Sequence, residues 1–360
     1  MKPLSEVLAV SCIVSLFLGS GSWRSFWLHS LFLSWDGSQF LWFCQEQKQD
    51  SVITTLFFDG YTVQLRSAYC VANNVWLIYL VVGLYTAFPI VAAALAKALF
   101  IPFSFALIGV VLRGASFAFR THFSGTVTLR EVWGRAFGIA SMITPLLLGT
   151  CAAALASGKI RVQHGQTPVA LWDAWLTPFA LTVGAMGLAL CATIAPIYLT
   201  VEAQKSKNEQ LVNIFRARAF LGGGILTILA ILGLILAPFQ APLLWYGMLN
   251  HALWAVGVTL LIGIATAVAL FFRHFRLARI LIALETGAIL GTWGLSQLPY
   301  ILPPDLTVTG AASPPTTLRE FFISALIGML ILIPSLWFLF RVFKMQDIIP
   351  PVHEKEIEGV

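Results

Sequence analysis

Eight stretches of this chain run for about twenty residues with almost no charge: 75–97, 100–119, 133–157, 176–200, 219–239, 249–272, 278–298 and 320–341. A bilayer core about 30 Å thick is crossed by roughly 20 apolar residues in helical form. Inside it every backbone N–H and C=O must be paired within the segment, which a helix achieves alone. Repeated eight times, this feature restricts the chain to an all-α polytopic integral membrane protein built from helical bundles. A ninth run, 7–20 (VLAVSCIVSLFLGS), is short. It reads as a first span, as a membrane-dipping segment, or as the apolar region of a signal peptide. Lys2 fits the last of these, but no A-x-A cleavage site follows.

Composition closes off the soluble alternatives. Of 360 residues, 58% are hydrophobic and 11% charged, against roughly 25% charged in a soluble domain. The formal charge of +6 implies no nucleic-acid partner, because a membrane protein gathers Lys and Arg in its cytoplasmic loops. The connections following the spans that end near 119, 200 and 272, with the C-terminal tail, carry fourteen basic residues. These are Arg113, Arg120, Arg130 and Arg135; Lys205, Lys207, Arg216 and Arg218; Arg273, Arg276 and Arg279; Arg341, Lys344 and Lys355. The opposite connections carry four: Lys97, Lys159, Arg161 and Arg319. The asymmetry places the C-terminus in the cytoplasm. Five cysteines, Cys12, Cys44, Cys70, Cys151 and Cys191, show neither a C-x-x-C pair nor a repeating spacing, so neither a disulfide framework nor a thiolate metal site is indicated.

No connection is long enough for a soluble domain. Residues 299–318 (PYILPPDLTVTGAASPPTTL) are rich in Pro, Gly, Ser and Thr and read as an ordered lid or an irregular loop. Residues 201–218 (VEAQKSKNEQLVNIFRAR) have helical spacing and are expected to extend the preceding helix into the cytoplasm. Pro145, Pro196, Pro238 and Pro334 interrupt spans and are expected to kink them. Trp76, Trp133, Trp172, Trp175, Trp245 and Trp293 fall near span ends, the position of an aromatic belt. Gly134, Gly138 and Gly149 offer small-residue helix contacts.

Ionisable groups inside a membrane are expensive and mark function by default. Glu285 (ALETGAIL) stands about two turns into its span from the cytoplasmic side. It reads either as a proton-passing acid or as a carboxylate paired with, or snorkelling to, a loop arginine. His251 (LNHALWAV) is either a haem or quinone contact or a hydrogen-bonded structural residue at the outer end of its helix. The other histidines, His29, His122, His164, His274 and His353, fall in loops or tails. Haem iron needs an axial side chain, and no pair of histidines lies within the spans, so no cofactor-binding or metal residue is expected in this chain. Glu202 reads as a surface or interface carboxylate. Asn73 and Asn74 can cap the first clear span.

Four stretches together carry a resemblance: VANNVWLIYLVVGLYTAFP, LIGVVLRGASFAFRTH, WGRAFGIASMITPLLLGT and GTWGLSQLPYILPPDLTVTGAASPPTTL. They resemble subunit II of the cytochrome bd-type quinol oxidases, in the branch called cyanide-insensitive or bd-like, from about residue 68 to 344. The resemblance implies a heterodimer with a haem-bearing subunit I. That partner carries haem b and haem d, or a second haem of the b type, and oxidises quinol while reducing dioxygen to water. Subunit II then holds no redox centre of its own, stabilises its partner, and in some members lines a route for cytoplasmic protons. It sits in the bacterial cytoplasmic membrane among lipid and quinone, and a small third subunit is left open. In this frame Glu285, Asn73 and Gln297 are the proton-path candidates. Trp76, Arg113, Arg120, Tyr300 and Asp305 are the structural or interface candidates.

Two departures qualify the family's proton route. Its Trp and following acid are Cys70 and Val71 here, although Ala72 to Ile78 conform, and a second acid before the loop arginine is Ala118. Upstream of residue 70 the likeness stops within a residue or two, as a shifted reading frame or misassigned start would produce. The expected division is therefore a divergent region 1–69 with a possible first span, a membrane domain 70–344, and a cytoplasmic tail 345–360. A secondary transporter would show repeat symmetry and broken helices around a midplane site, neither of which the sequence displays. A structural or assembly membrane protein, including a non-functional remnant, is the third alternative.

Overall fold

The computed structural model describes residues 79–122, 127–162, 172–205 and 209–345. The run 7–20, Cys70, Val71, Asn73, Asn74, Trp76 and the tail beyond 345 lie outside the described residues.

The first clear span is not a single helix. Helix α1 (Tyr79–Ala87) ends at Phe88, the axis turns by 118°, and α2 (Pro89–Ala98) begins. The cause is local. Proline has no N–H and disfavours helical backbone in the residue before it, and Phe88 accordingly sits at φ −138°, ψ 66°. The sequence reading named four other prolines as kink sites and saw no broken helix. Pro145, Pro196, Pro238 and Pro334 lie inside continuous helices, and the break falls instead at Pro89, where none is expected. Carbonyls freed at such a break need new partners. Ser313 supplies both, donating its N–H to the Ala87 carbonyl at 2.9 Å and its hydroxyl to the Thr86 carbonyl at 2.7 Å.

Helix α3 (Phe100–His122) follows α2 almost without interruption, since Leu99 and Phe103 keep helical hydrogen bonds to Leu95 and Leu99. Its apolar part, Phe100–Ser116, is shorter than a full span. Next come α4 (Val127–Ala156), α5 (Pro178–Lys205), α6 (Glu209–Gln240) and α7 (Pro242–Gly247). A π turn (Met248–Ala252) leads into α8 (Leu253–Phe271), and α9 (Phe275–Gln297) runs back beside it. Among the described residues six helices are long and apolar enough to cross a membrane, or seven if α1 and α2 count as one span. The sequence predicts eight; the difference lies at the Phe88 break and in the short apolar part of α3. The expected extension over 201–218 is divided, with α5 ending at Lys205 and α6 starting at Glu209.

Helix α5 is the centre of the bundle, packing along α4, α6 and α9. Two glycines let α4 and α5 nearly touch. A Cβ on Gly149 would stand 2.8 Å from the Gly184 Cα, and one on Gly184 would stand 2.6 Å from the Leu146 carbonyl oxygen. Small residues at a crossing are how membrane helices gain dispersion contact. Gly149 thus takes the expected role, while Gly138 and Gly134 are buried about three and four turns nearer the other end.

The segment 299–318 is ordered. It forms an antiparallel pair, β1 (Tyr300–Leu302) with β2 (Leu306–Thr307), then α10 (Val308–Ala311), and leads into α11 (Pro315–Met345). Leu302 and Val308 are buried in one apolar cluster with Phe88, Val91, Cys151 and Ile160, so the lid closes that end of the bundle. At the opposite end, Ile197, Phe215, Leu270, Phe275 and Ile282 form a second cluster joining α5, α6, α8 and α9.

Candidate functional site

Helix α9 starts at Phe275, three residues before the predicted span. Glu285 is therefore about 15 Å along it at 1.5 Å per residue, close to the middle of a 23-residue helix and deeper than the two turns expected. Its half-buried carboxyl faces α8. Thr266 Oγ1 donates to Glu285 Oε2 at 3.1 Å, and a Cβ on Gly263 would stand 3.0 Å from Oε1. Gly263 makes the room that the carboxyl occupies.

The expected ion pair with a loop arginine does not form among the described residues. Arg273 is bound to Glu209 Oε2 and Asn213 Oδ1, each at 3.1 Å. Arg216 donates to the Leu270 and Phe271 carbonyls, and Arg279 lies 5.7 Å from the ring centre of Tyr198. Glu285 instead belongs to a seam of hydroxyls. Two turns nearer the lid, Thr259 and Thr292 meet across the same helix pair at 3.1 Å. Ser296 then donates to the Thr292 carbonyl at 2.7 Å. The two polar rungs, Thr266–Glu285 and Thr259–Thr292, are about 10 Å apart along the helices.

Gln297 is buried at the lid end of α9 and donates from Nε2 to the Ile301 carbonyl at 3.2 Å. It is about 18 Å from Glu285 along the helix, so the structure does not bring these two proton-path candidates together. Tyr300 takes its place in the β1–β2 ladder opposite Thr307. Asp305 is a clamp: Oδ1 meets Arg161 Nη1 at 3.2 Å and Oδ2 accepts the Val162 N–H at 2.9 Å. It fastens the lid to the end of the α4 connection.

Arg113, grouped by sequence with the loop cations, lies within α3, only 2% exposed, close enough to Cys191 of α5 for its charge to act there. One turn on, the Ser116 hydroxyl is buried without a partner. Arg120 and Ala118 fall in the last turn of α3, and their side chains are outside what is described. His251 sits exposed in the π turn, where its backbone carbonyl accepts the Trp254 indole N–H at 3.1 Å. Among the described residues no three His, Cys, Asp or Glu side chains are grouped to hold a metal ion.

Sequence reasoning missed Thr259, Thr266 and Thr292. A signal was present: Thr259 to Thr266 and Glu285 to Thr292 are both steps of seven, which keep polar side chains on one helix face. It missed Ser313 as well, whose role exists only because of the distant break at Phe88.

Comparisons with known proteins agree with this architecture. A family model described as cytochrome bd terminal oxidase subunit II matches residues 69–343. A Bacillus subtilis (strain 168) protein named "Putative cytochrome bd menaquinol oxidase subunit II" is 25% identical over 286 residues, covering 76% of this chain and 80% of the relative. The solved structure of bd oxidase from Geobacillus thermodenitrificans contains a chain that superposes with a TM-score of 0.75 at 22% identity. That match covers 93% of this chain and 98% of the other, and it carries the fold.

Proposed function

The chain belongs to the cytochrome bd terminal oxidase subunit II family, and from that premise we propose that it is the haem-free subunit of a bacterial quinol:oxygen oxidoreductase. Family membership implies a subunit I partner in a multi-pass membrane complex. In the proposed division of labour, subunit I holds haem b together with haem d or a second b-type haem, oxidises quinol and reduces dioxygen to water. This chain supplies the packing surface, with residues 70–344 as its membrane domain. The name of the Bacillus relative supports a quinol as the reductant. The charge asymmetry of the connections supports the bacterial cytoplasmic membrane with the C-terminus inside. A transporter would show broken helices, and one break does occur at Phe88, but the family match over residues 69–343 displaces that alternative.

Glu285 is the group in this chain best suited to handle a proton. The observation that carries this is its position: a mid-helix carboxyl hydrogen-bonded to one hydroxyl, with no cation paired to it among the described residues. The neutral acid can donate as well as accept, and Thr266 can do both in turn. The rung at Thr259 and Thr292 offers the next stop toward the lid, with water bridging the roughly 10 Å between them. The family's usual acids are absent at Val71 and Ala118, so a route through this subunit uses Glu285 or water, or does not exist.

The reading is tested by difference spectra of membranes from a strain lacking this gene. The expected result is loss of the high-spin haem signals together with quinol-driven oxygen uptake, restored by the gene in trans. Unchanged spectra and uptake would overturn it.

A further inference from the structure

We propose that the arginine-rich end of the bundle binds the phosphate of an anionic phospholipid headgroup, at a site built by Arg276 and Arg279 on α9. Five arginines gather there from α6, the α8–α9 turn and α9: Arg216, Arg218, Arg273, Arg276 and Arg279. Two are spent internally, Arg216 on the last carbonyls of α8 and Arg273 on Glu209 and Asn213. Arg276 is exposed, and Arg279 rests against the Tyr198 ring. Neither is paired with an acid among the described residues. On α6, Arg218 Nη1 is buried without a hydrogen-bond partner.

The start of α9 adds to this surplus. Its first turn holds no acidic residue, and His274 offers no side-chain cap. The orphan N–H groups and the positive end of the helix dipole therefore remain there. Two arginines three residues apart on that turn repel each other and the dipole unless an anion sits between them. An arginine guanidinium binds a phosphate oxygen pair in a planar, two-pronged fashion.

The apolar surface beside the site selects a lipid over free phosphate. Phe271, Phe272, Leu277 and Ile280 are all exposed, and Ile280 lies one turn along α9 from Arg276. A headgroup held by the arginines would lay its acyl chains over these side chains. Basic pockets between transmembrane helices on the cytoplasmic side take anionic headgroups in this manner.

The test uses the delipidated two-subunit oxidase and its double variant Arg276→Gln/Arg279→Gln, with Arg319→Gln at the opposite end as control. Thermal midpoints are followed while dioleoylphosphatidylglycerol, dioleoylphosphatidylcholine or inorganic phosphate is titrated in. Phosphatidylglycerol is expected to stabilise the parent and the control saturably. The double variant should need about thirtyfold more, the loss expected for two arginines at an anionic surface. Equal responses to the two lipids in the parent, or an undiminished response in the double variant, overturn the proposal. So does stabilisation by inorganic phosphate alone, which would make the site one for free phosphate. A double variant that separates from its partner subunit would show that acids of the partner cover these arginines, and this too overturns it. Should the double variant not accumulate, the comparison of lipids on the parent still decides. None of these results bears on the oxidase assignment, which the spectra test separately.

Discussion

Thr266 of α8 holds Glu285 of α9 by a 3.1 Å hydrogen bond near the middle of the helix pair. Glu285→Gln keeps the size of the side chain and a hydrogen bond to Thr266 but removes the exchangeable acid. The variant complex should assemble with unchanged haem spectra. Its quinol-driven oxygen uptake should fall about a hundredfold, at the low side of what a positioned acid or base contributes. Thr266→Val, which removes only the donor, should cost less. An oxygen electrode trace at parental rate for Glu285→Gln would end the proton role of this residue.

The α4–α5 crossing gives a steric prediction. Gly184→Ala drives a methyl group into the Leu146 carbonyl oxygen and the Thr150 methyl, both at 2.6 Å. Overpacking of this kind costs about 1–3 kcal/mol. Gly224→Ala on α6, with nothing within 4 Å, should be neutral or slightly stabilising. Thermal denaturation of the two variants should therefore move in different directions from each other.

The lid clamp separates two contributions of one side chain. The Asp305–Arg161 pair is partly exposed, at 24% and 52%, so it is worth at most about 1 kcal/mol and weakens with salt. The Val162 N–H is a neutral donor to the same carboxyl. Asp305→Asn keeps an acceptor for it and should lower stability by only a few tenths of a kcal/mol. Asp305→Ala removes both and should lose about 1–2 kcal/mol. Melting curves at low and high salt distinguish the two, since only the ionic part is screened.

The α8–α9 turn is closed by Arg273 at φ 59°. The His274 N–H reaches the Ala269 carbonyl at 2.8 Å and the Arg273 N–H the Leu270 carbonyl at 3.4 Å, a Schellman closure whose left-handed position normally falls to glycine. Arg273→Gly relieves about 1 kcal/mol of backbone strain and loses only exposed bonds to Glu209 and Asn213, so its melting point should match or exceed the parent's. Arg273→Ala loses the pair without relief and should melt lower.

Long-range periodicity carried most of the legible information. The apolar runs located the helices because the bilayer dictates their length, and the quoted motifs around Trp76, Arg113 and Gln297 fixed the family before any geometry. Helix ends and breaks were less readable. Pro89 sits in as apolar a context as Pro196, yet one breaks its helix and the other does not. What decides is a partner for the freed carbonyls, and Ser313 lies more than two hundred residues away. Glu285 was found from its cost in lipid alone. Its environment was not, because Thr266 bonds its own Ile262 carbonyl at 2.8 Å like other helix threonines, and nothing in the sequence shows that it also meets a carboxyl on another helix. Arg113 falls inside the predicted span 100–119, but nothing in the sequence shows that the helix packing buries its cation to 2% exposure.

The account depends on this chain owing its activity to a haem-bearing companion. The most direct measurement is to purify it through an affinity tag in mild detergent, record haem and protein stoichiometry, and repeat after the companion has been stripped away. The account predicts one haem-bearing membrane subunit per tagged chain, with all haem and all quinol-driven oxygen reduction leaving with that subunit. A tagged chain that retains stoichiometric haem alone, or reduces oxygen unaccompanied, would contradict it.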